Sequence, residues 1–216
     1  MKKTLVTQPI LRAAVCLLGM LAVVPAPAER FEPSTYKIYV RDWCYGPCIV
    51  IEGGMNRGIA AAFEKVADKN PHIDKVWLWS GGGWVKSGFH LYRAIKKRGM
   101  DTVAKSCQSA CMTAFMGGER RVLVPGSWGL GFHQVNTDFG VDHYTRRSQN
   151  RTRYMFKKRG VEKWFLKKMY QARPQGMWYP SGDELLDAGV ITHLADADGN
   201  LRDRDGNFIH RDSVQQ

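Results

Sequence analysis

Short apolar runs alternate with amphipathic stretches along the first half of the chain. Apolar residues cluster at 36–40, 48–52 and 73–79, which is typical of strands, and the last of these runs is apolar enough for a buried strand. Over 59–67 and 85–95, apolar residues recur every three or four positions, which predicts helices that bury one face. This alternation predicts an α/β fold with a largely parallel sheet and flanking helices.

The second half continues the pattern and then becomes helical and basic. The predicted elements are a strand at 102–105, a helix at 109–116, strands at 122–124 and 130–132, helices within 142–170 and at 181–188, and a strand at 190–194. Gly160 is predicted to divide the long helical stretch in two. Ser181 is the predicted N-cap of the following helix, with Glu184 completing a capping box. The polar residues from 196 to 216 predict a loose C-terminal tail.

The N-terminal 28 residues have the three parts of a secretory signal. Two lysines precede an apolar run at 13–24, and Ala26-Pro27-Ala28 fits a cleavage site with small residues. The apolar run is shorter than the roughly 18 residues of a membrane-spanning helix. We therefore expect a periplasmic or secreted protein whose mature chain is one domain, 29–195, followed by the tail.

The charge is strongly positive, with a formal net charge of +12. After Asp142 and as far as residue 170, a single acid, Glu162, stands against ten basic side chains: Arg146, Arg147, Arg151, Arg153, Lys157, Lys158, Arg159, Lys163, Lys167 and Lys168. These helices either bind an anionic lipid or glycan surface or form a solvated charged face. Nucleic acid is not an expected partner of an exported chain.

Four cysteines remain once the signal is removed: Cys44, Cys48, Cys107 and Cys111. An even number in an oxidising compartment favours disulfides, although four cysteines allow three connectivities. Both pairs are spaced four residues apart, so we expect two local bridges.

Three features needed for hydrolysis occur in order along the chain. The turn at 80–83 contains three glycines between a strand and a helix, where backbone N–H groups can approach a ligand closely. Ser109 lies at the next strand-to-helix turn, either as an N-cap or as a nucleophile with the Ala110 N–H beside it. His133 ends a later strand and supplies an imidazole. We predict no cofactor, and the scattered histidines suggest no metal site.

Four segments together resemble the proteolytic subunit of the Clp protease and, more widely, the Clp/crotonase fold. They are Ser80-Gly81-Gly82-Gly83, similar to the family's Ser-Pro-Gly-Gly turn; the nucleophile turn at Cys107 to Cys111; the run from Gly118 to Ser127 that leads into Phe132-His133-Gln134; and Asp183 to Ile191, similar to the family's terminal motif. The likeness spans roughly residues 48–194. It implies a sheet built from repeated ββα units.

The resemblance also implies an activity and a site. The chain would be an exported serine hydrolase, most simply a peptidase, that acts on a peptide or ester bond. Ser109 would be the nucleophile and His133 the base, and the oxyanion would be bound by backbone N–H groups among Gly82, Gly83 and Ala110. Family members assemble into rings or trimers, so we expect a homo-oligomer.

One family feature is missing from this sequence. The family's catalytic aspartate lies shortly before the terminal helix, and the corresponding stretch here, 171–175, contains no acid. Asp138 or Asp142 could replace it from the loop after His133, whereas a Ser-Lys arrangement would require Lys86 or Lys105. The alternative is a catalytically silent binding protein on the same fold that holds an anionic envelope component.

Overall fold

A mixed β-sheet forms the centre of the fold. The structure is a computed structural model, and it describes residues 35–44, 46–124, 129–135, 143–173 and 176–210. The strands within these ranges are β1 Tyr36–Arg41, β2 Cys48–Gly53, β3 Lys75–Ser80, β4 Asp101–Gln108, β5 Arg121–Leu123, β6 Gly129–Gly131, β7 His193–Ala195, β8 Leu201–Arg202 and β9 Phe208–Ile209. The helices are α1 Ile59–Lys69, α2 Val85–Lys97, α3 Ala110–Phe115, α4 His143–Lys158, α5 Lys163–Lys168 and α6 Gly182–Asp187.

The sheet is largely parallel, as the sequence predicts. Its strand order is β1-β2-β3-β4-β5-β7-β8-β9, and β6 pairs with β4 beyond the end of β5. Every pairing from β2 to β7 is parallel, while β1 and the last two strands add antiparallel edges. Because parallel strands need crossover connections, α1, α2 and α3 each link one strand to the next.

The two faces of the sheet bury different amounts of apolar surface. The larger core lies between the sheet and the helices and contains fully buried aromatic side chains such as Phe63, Phe115 and Phe165. The smaller core lies on the opposite face around Trp77, whose ring packs edge-on against Trp43. The amphipathic helices therefore cover the face of the sheet that carries the larger core, and this core holds the strand ends in place.

The prediction of a loose tail is wrong as far as residue 210. Residues beyond Asp196 form β8, which pairs antiparallel with β7, and β9, which pairs antiparallel with β8. Asp196 and Asp203 each accept backbone N–H groups two and four residues further on, which closes a tight turn before each strand. The aspartates that make the segment look polar are thus turn-forming residues.

Arg121 joins the centre of the sheet to the C-terminal part of the chain. Its side chain is buried and donates to three backbone carbonyls, those of Val190 at 2.9 Å, Gly189 at 3.1 Å and Gly118 at 3.4 Å. Burial lowers the pKa of Arg121 to about 10, and the nearby charge of Arg159 adds to this effect.

The basic stretch is divided in two, as predicted, because Gly160, with φ of 85°, lies between α4 and α5. The capping box at α6 is present: Ser181 accepts from the Glu184 N–H, and Glu184 accepts from the Ser181 N–H. None of the helices in the described ranges is both long enough and apolar enough to cross a membrane.

Candidate active site

The topology brings Ser109 and His133 together, although 24 residues separate them. Ser109 follows β4 and His133 lies just beyond β6, and these two strands are paired in parallel with Gln108 opposite Gly131. The carboxyl ends of neighbouring parallel strands meet at one edge of a sheet, where ligands commonly bind. There the His133 Nε2 lies 2.7 Å from the Ser109 Oγ, within hydrogen-bond distance.

The backbone of Ser109 has an uncommon conformation. Its φ of 53° and ψ of −122° make it the one non-glycine residue with positive φ in the part of the chain that the structure describes. Such a conformation costs on the order of 1–3 kcal/mol and persists only where the surroundings fix it. The Ser109 side chain makes no capping bond to α3, so the N-cap interpretation does not account for it.

Two backbone N–H groups beside Ser109 have no acceptor within the described residues. The Ala110 N–H belongs to the first residue of α3, and first-turn N–H groups have no partner inside their own helix. Gly83 lies opposite Met55 in a parallel bridge formed through the neighbouring Gly82 carbonyl and Trp84 N–H. The Gly83 N–H therefore points away from Met55, and it remains available to a ligand.

Gly82 is the third candidate oxyanion donor. Its N–H donates to the Ser80 Oγ at 3.1 Å, so it already has an acceptor in this structure. A Cβ at this position would lie 2.8 Å from both the Gln108 carbonyl oxygen and the Ser109 Cβ. With φ of 103° as well, Gly82 is the residue that lets the glycine turn pack against the nucleophile turn.

A small cavity of about 30 Å³ adjoins the pair. Its lining includes Met112, Thr113, Phe156, Met169 and Tyr170, besides Ser109 and His133. It is mostly apolar and has room for only one or two water molecules. Burial raises the pKa of Tyr170 to about 12, so this phenol remains neutral. Sequence reasoning missed this lining because Met169 and Tyr170 follow a run of lysines, and only the fold brings them close to Ser109.

The cysteines form the two local pairs that the spacing predicts. Cys107 and Cys111 bridge from the end of β4 into α3, with Cα atoms 5.3 Å apart, and Ser109 lies between them. Cys44 and Cys48 close the turn before β2, with Cα atoms 5.9 Å apart. All four side chains are fully buried.

The candidate orienting acids, Asp138 and Asp142, lie outside the described residues. On the side where the family aspartate would lie, Gln134 binds the backbone instead: its N–H donates to the Ala172 carbonyl and its side chain to the Tyr170 carbonyl.

Lys105, a candidate base in a Ser-Lys arrangement, is exposed, with its Nζ 5.8 Å from the centre of the Trp79 ring. Within the described residues, the hydrogen-bond partner of the Ser109 side chain is His133, not Lys86 or Lys105.

The basic helices enclose a groove away from Ser109. It has a volume of about 720 Å³, lies between α4 and α5, and is lined by Asn150, Arg153, Tyr154, Lys157, Val161, Lys163, Leu166 and Lys167. No acid contributes to this lining. The Arg153 Nε donates to the Leu166 carbonyl, whereas the three lysines are exposed.

The fold resembles solved structures of ClpP1. An asparagine-to-aspartate mutant of ClpP1 from Listeria monocytogenes matches with a TM-score of 0.55 and 20% identity, over 74% of this chain and 93% of that one. ClpP1 from Listeria monocytogenes matches with a TM-score of 0.53 and 18% identity, over 69% and 91%. No protein-family model and no curated protein matches the sequence. At this identity the likeness shows the fold, and the chain has the ClpP-like α/β fold.

Proposed function

We propose that this protein is a serine hydrolase that cleaves peptide or ester bonds, with Ser109 as nucleophile and His133 as base. The observation that carries the proposal is the 2.7 Å contact between the Ser109 Oγ and the His133 Nε2, made by a serine whose backbone is held at positive φ. A hydroxyl becomes a useful nucleophile when an adjacent base can accept its proton.

The reaction follows from these positions. The Ser109 Oγ attacks the substrate carbonyl carbon while its proton passes to the His133 Nε2. The oxyanion of the tetrahedral intermediate accepts hydrogen bonds from the Gly83 and Ala110 N–H groups, and losing one such donor costs about 10²–10³ in rate. His133 then protonates the leaving amine or alcohol, and an acyl group remains on Ser109. Water, deprotonated by His133, hydrolyses the acyl group and restores the serine.

The small cavity beside Ser109 supports a preference for substrates with a small apolar group next to the scissile bond. Its volume of about 30 Å³ leaves little room, and Met112 and Met169 line it. Methionine side chains adapt their shape readily, so the pocket can widen modestly for a larger group. Asp138 and Asp142 are the proposed candidates to orient His133, since losing that function can lower the rate about 10⁴-fold.

A fluorophosphonate probe tests the proposal, because it reacts with activated serines. Wild-type protein should be labelled on Ser109, and labelling should disappear in Ser109→Ala. In His133→Ala it should fall by orders of magnitude, because the base is gone while the hydroxyl remains. Asp138→Asn and Asp142→Asn, made separately, identify the orienting acid. A wild-type protein that takes no label and hydrolyses no peptide or ester library would contradict the proposal.

A second candidate is a binding protein for an anionic lipid or glycan surface. The observation that favours it is the α4–α5 groove, which is lined by cations and by no acid. Retention on anionic vesicles should then fall as salt increases, because salt shortens the Debye length, the distance over which charges attract, to about 8 Å at physiological ionic strength. Reversing four charges between Arg146 and Lys168 should abolish retention, and if it does not, the helices are a solvated face.

Export and assembly complete the proposal. The signal-like N-terminus supports cleavage after Ala28, so mass spectrometry of envelope protein should find a chain that begins at Glu29. A full-length cytosolic product would exclude export. The resemblance to an oligomeric family supports a homo-oligomer, which light scattering of the purified protein tests.

A further inference from the structure

A second cleft, between α2 and α4, gathers cations from both helices. Its volume is about 380 Å³. Lys86, His90 and Arg93 line it from α2, and Arg147 and Arg151 line it from α4. On each helix these positions are three or four residues apart, so they share one face. Phe89, Tyr144, Val85 and Ser148 complete the lining, and none of these residues is acidic.

The facing cations have no acidic partner in the part of the chain that the structure describes. The ion pairs there involve other basic residues, namely Lys75, Arg98, Arg120, Lys168, Arg202 and Arg204. Arg151 is held in place, because its guanidinium stacks 4.3 Å from the centre of the Phe89 ring. Like charges across a helix–helix contact repel each other, so the packing itself favours an anion between them.

The effect of this crowding is visible at His90. Its pKa is lowered, first by burial and then by the charges of Arg93, Lys86 and Arg151. Cations from both helices therefore act on the same point in the cleft. The groups that face His90 are Lys86 and Arg93 on its own helix and Tyr144, Arg147 and Arg151 on α4.

We propose that the α2–α4 cleft binds a ligand that carries two or more phosphate groups. Four permanent cations line the cleft, and a phosphate monoester carries about −1.5 to −2 at neutral pH, so two such groups match the fixed charge. Lys86 and Arg93 are separated by roughly 10 Å along α2 at 1.5 Å per residue, which exceeds the reach of a single phosphate. Arginine suits this ligand because its guanidinium binds phosphate through two parallel hydrogen bonds.

The phosphate groups can belong to a soluble polyphosphate or to a lipid headgroup, and two probes separate these sources. Tripolyphosphate, measured by calorimetry against inorganic phosphate, tests the soluble source. Phosphatidylglycerol vesicles with and without phosphatidylinositol bisphosphate, compared at equal total charge, test the lipid source. A site for paired phosphates prefers tripolyphosphate or the bisphosphate vesicles, whereas a diffuse charged surface responds to total charge alone.

A matched pair of variants locates the binding. Lys86→Gln/Arg147→Gln removes two exposed cations from the cleft, and Lys157→Gln/Lys167→Gln removes two from the α4–α5 groove. Tripolyphosphate affinity should fall about tenfold or more in the first variant, because charge-assisted hydrogen bonds are lost, and should stay nearly unchanged in the second. Equal losses in the two variants, or no preference of the wild type for the paired-phosphate probe from either source, would overturn the proposal.

NMR titration of His90 provides a readout that needs no variant. A bound polyphosphate offsets the surrounding cations, so it should raise the pKa of His90, and by linkage it should bind more tightly as the pH falls. If neither tripolyphosphate nor the bisphosphate vesicles shift the His90 titration, the cleft is not the site. This proposal is independent of hydrolysis at Ser109, since none of its measurements uses that activity.

Discussion

Removing the disulfide between Cys107 and Cys111 should slow the labelling of Ser109 much more than removing the disulfide between Cys44 and Cys48, although both changes should destabilise the fold by similar amounts. The two disulfides of this protein are matched, because each joins cysteines four residues apart and each is fully buried. In the chain-entropy treatment, closing so short a loop stabilises the folded state by about 2 kcal/mol. Replacing either cysteine pair with alanine should therefore lower the free energy of unfolding by similar amounts.

The two bridges differ in what they enclose. Cys107–Cys111 ties the end of β4 to α3 across Ser109, whose backbone conformation costs about 1–3 kcal/mol. Without the bridge, the turn can relax to an unstrained conformation. A free-energy difference of about 1–3 kcal/mol corresponds to a ratio of about 5 to 150, so the fraction of molecules with Ser109 directed at His133 should fall by that factor. The fluorophosphonate labelling rate of Cys107→Ala/Cys111→Ala should fall by that factor, while the affinity for a reversible substrate analogue changes little.

Denaturant titration and labelling kinetics on both double variants form the assay. Cys44→Ala/Cys48→Ala is the control, because it removes an equivalent bridge that does not enclose the nucleophile turn. Equal labelling rates for the two variants would refute the reasoning, since the strained turn would then be held by its other contacts alone. A crystal structure of the first variant that retains the 2.7 Å contact between Ser109 and His133 would refute it independently of any activity.

Three further outcomes follow from other residues. Gly82→Ala should lower both stability and labelling, because its Cβ would lie 2.8 Å from the Ser109 Cβ at a φ of 103°, and thermal unfolding with labelling measures both effects. Ser181→Ala removes the capping hydrogen bond of α6 and should cost about 1 kcal/mol in a denaturant titration; a loss near zero would contradict the capping role. Burial lowers the pKa of His193 in the folded protein, so the unfolded chain binds the proton first, and the free energy of unfolding should fall as the pH drops through about 6.5 towards the folded-state pKa. His193→Gln should remove that part of the pH dependence.

The order of strands and helices was predictable because it depends on local apolar spacing. The central runs at 48–52 and 85–95 correspond closely to β2 and α2, because the apolar residues of β2 alternate between the two cores of the sheet and those of α2 all face the larger one. The C-terminal strands were missed because β8 and β9 have two residues each, which is too short for any periodicity. Their stability comes from sheet pairing and aspartate turns, which a polar composition conceals.

The candidate site was predictable as a set of residues but not as a geometry. The order of the motifs led to Ser109, His133 and the glycine turn. Which glycine N–H is free depends on the bridge between Met55 and Gly83, which joins distant parts of the chain. The α2–α4 cleft was missed for a related reason: its cations on α2 lie more than 50 residues from those on α4, and only packing places them face to face.

Arg121 has a consequence for the order in which the chain acquires its structure. Its guanidinium is satisfied by carbonyls at residues 189 and 190, about 70 positions later, and β5 gains its outer neighbour only when β7 arrives. A nascent chain that ends before those residues lacks two of the three carbonyl acceptors of Arg121 and also lacks the strand that pairs with β5, so its sheet is incomplete. We expect folding to be completed only after the C-terminal part has emerged.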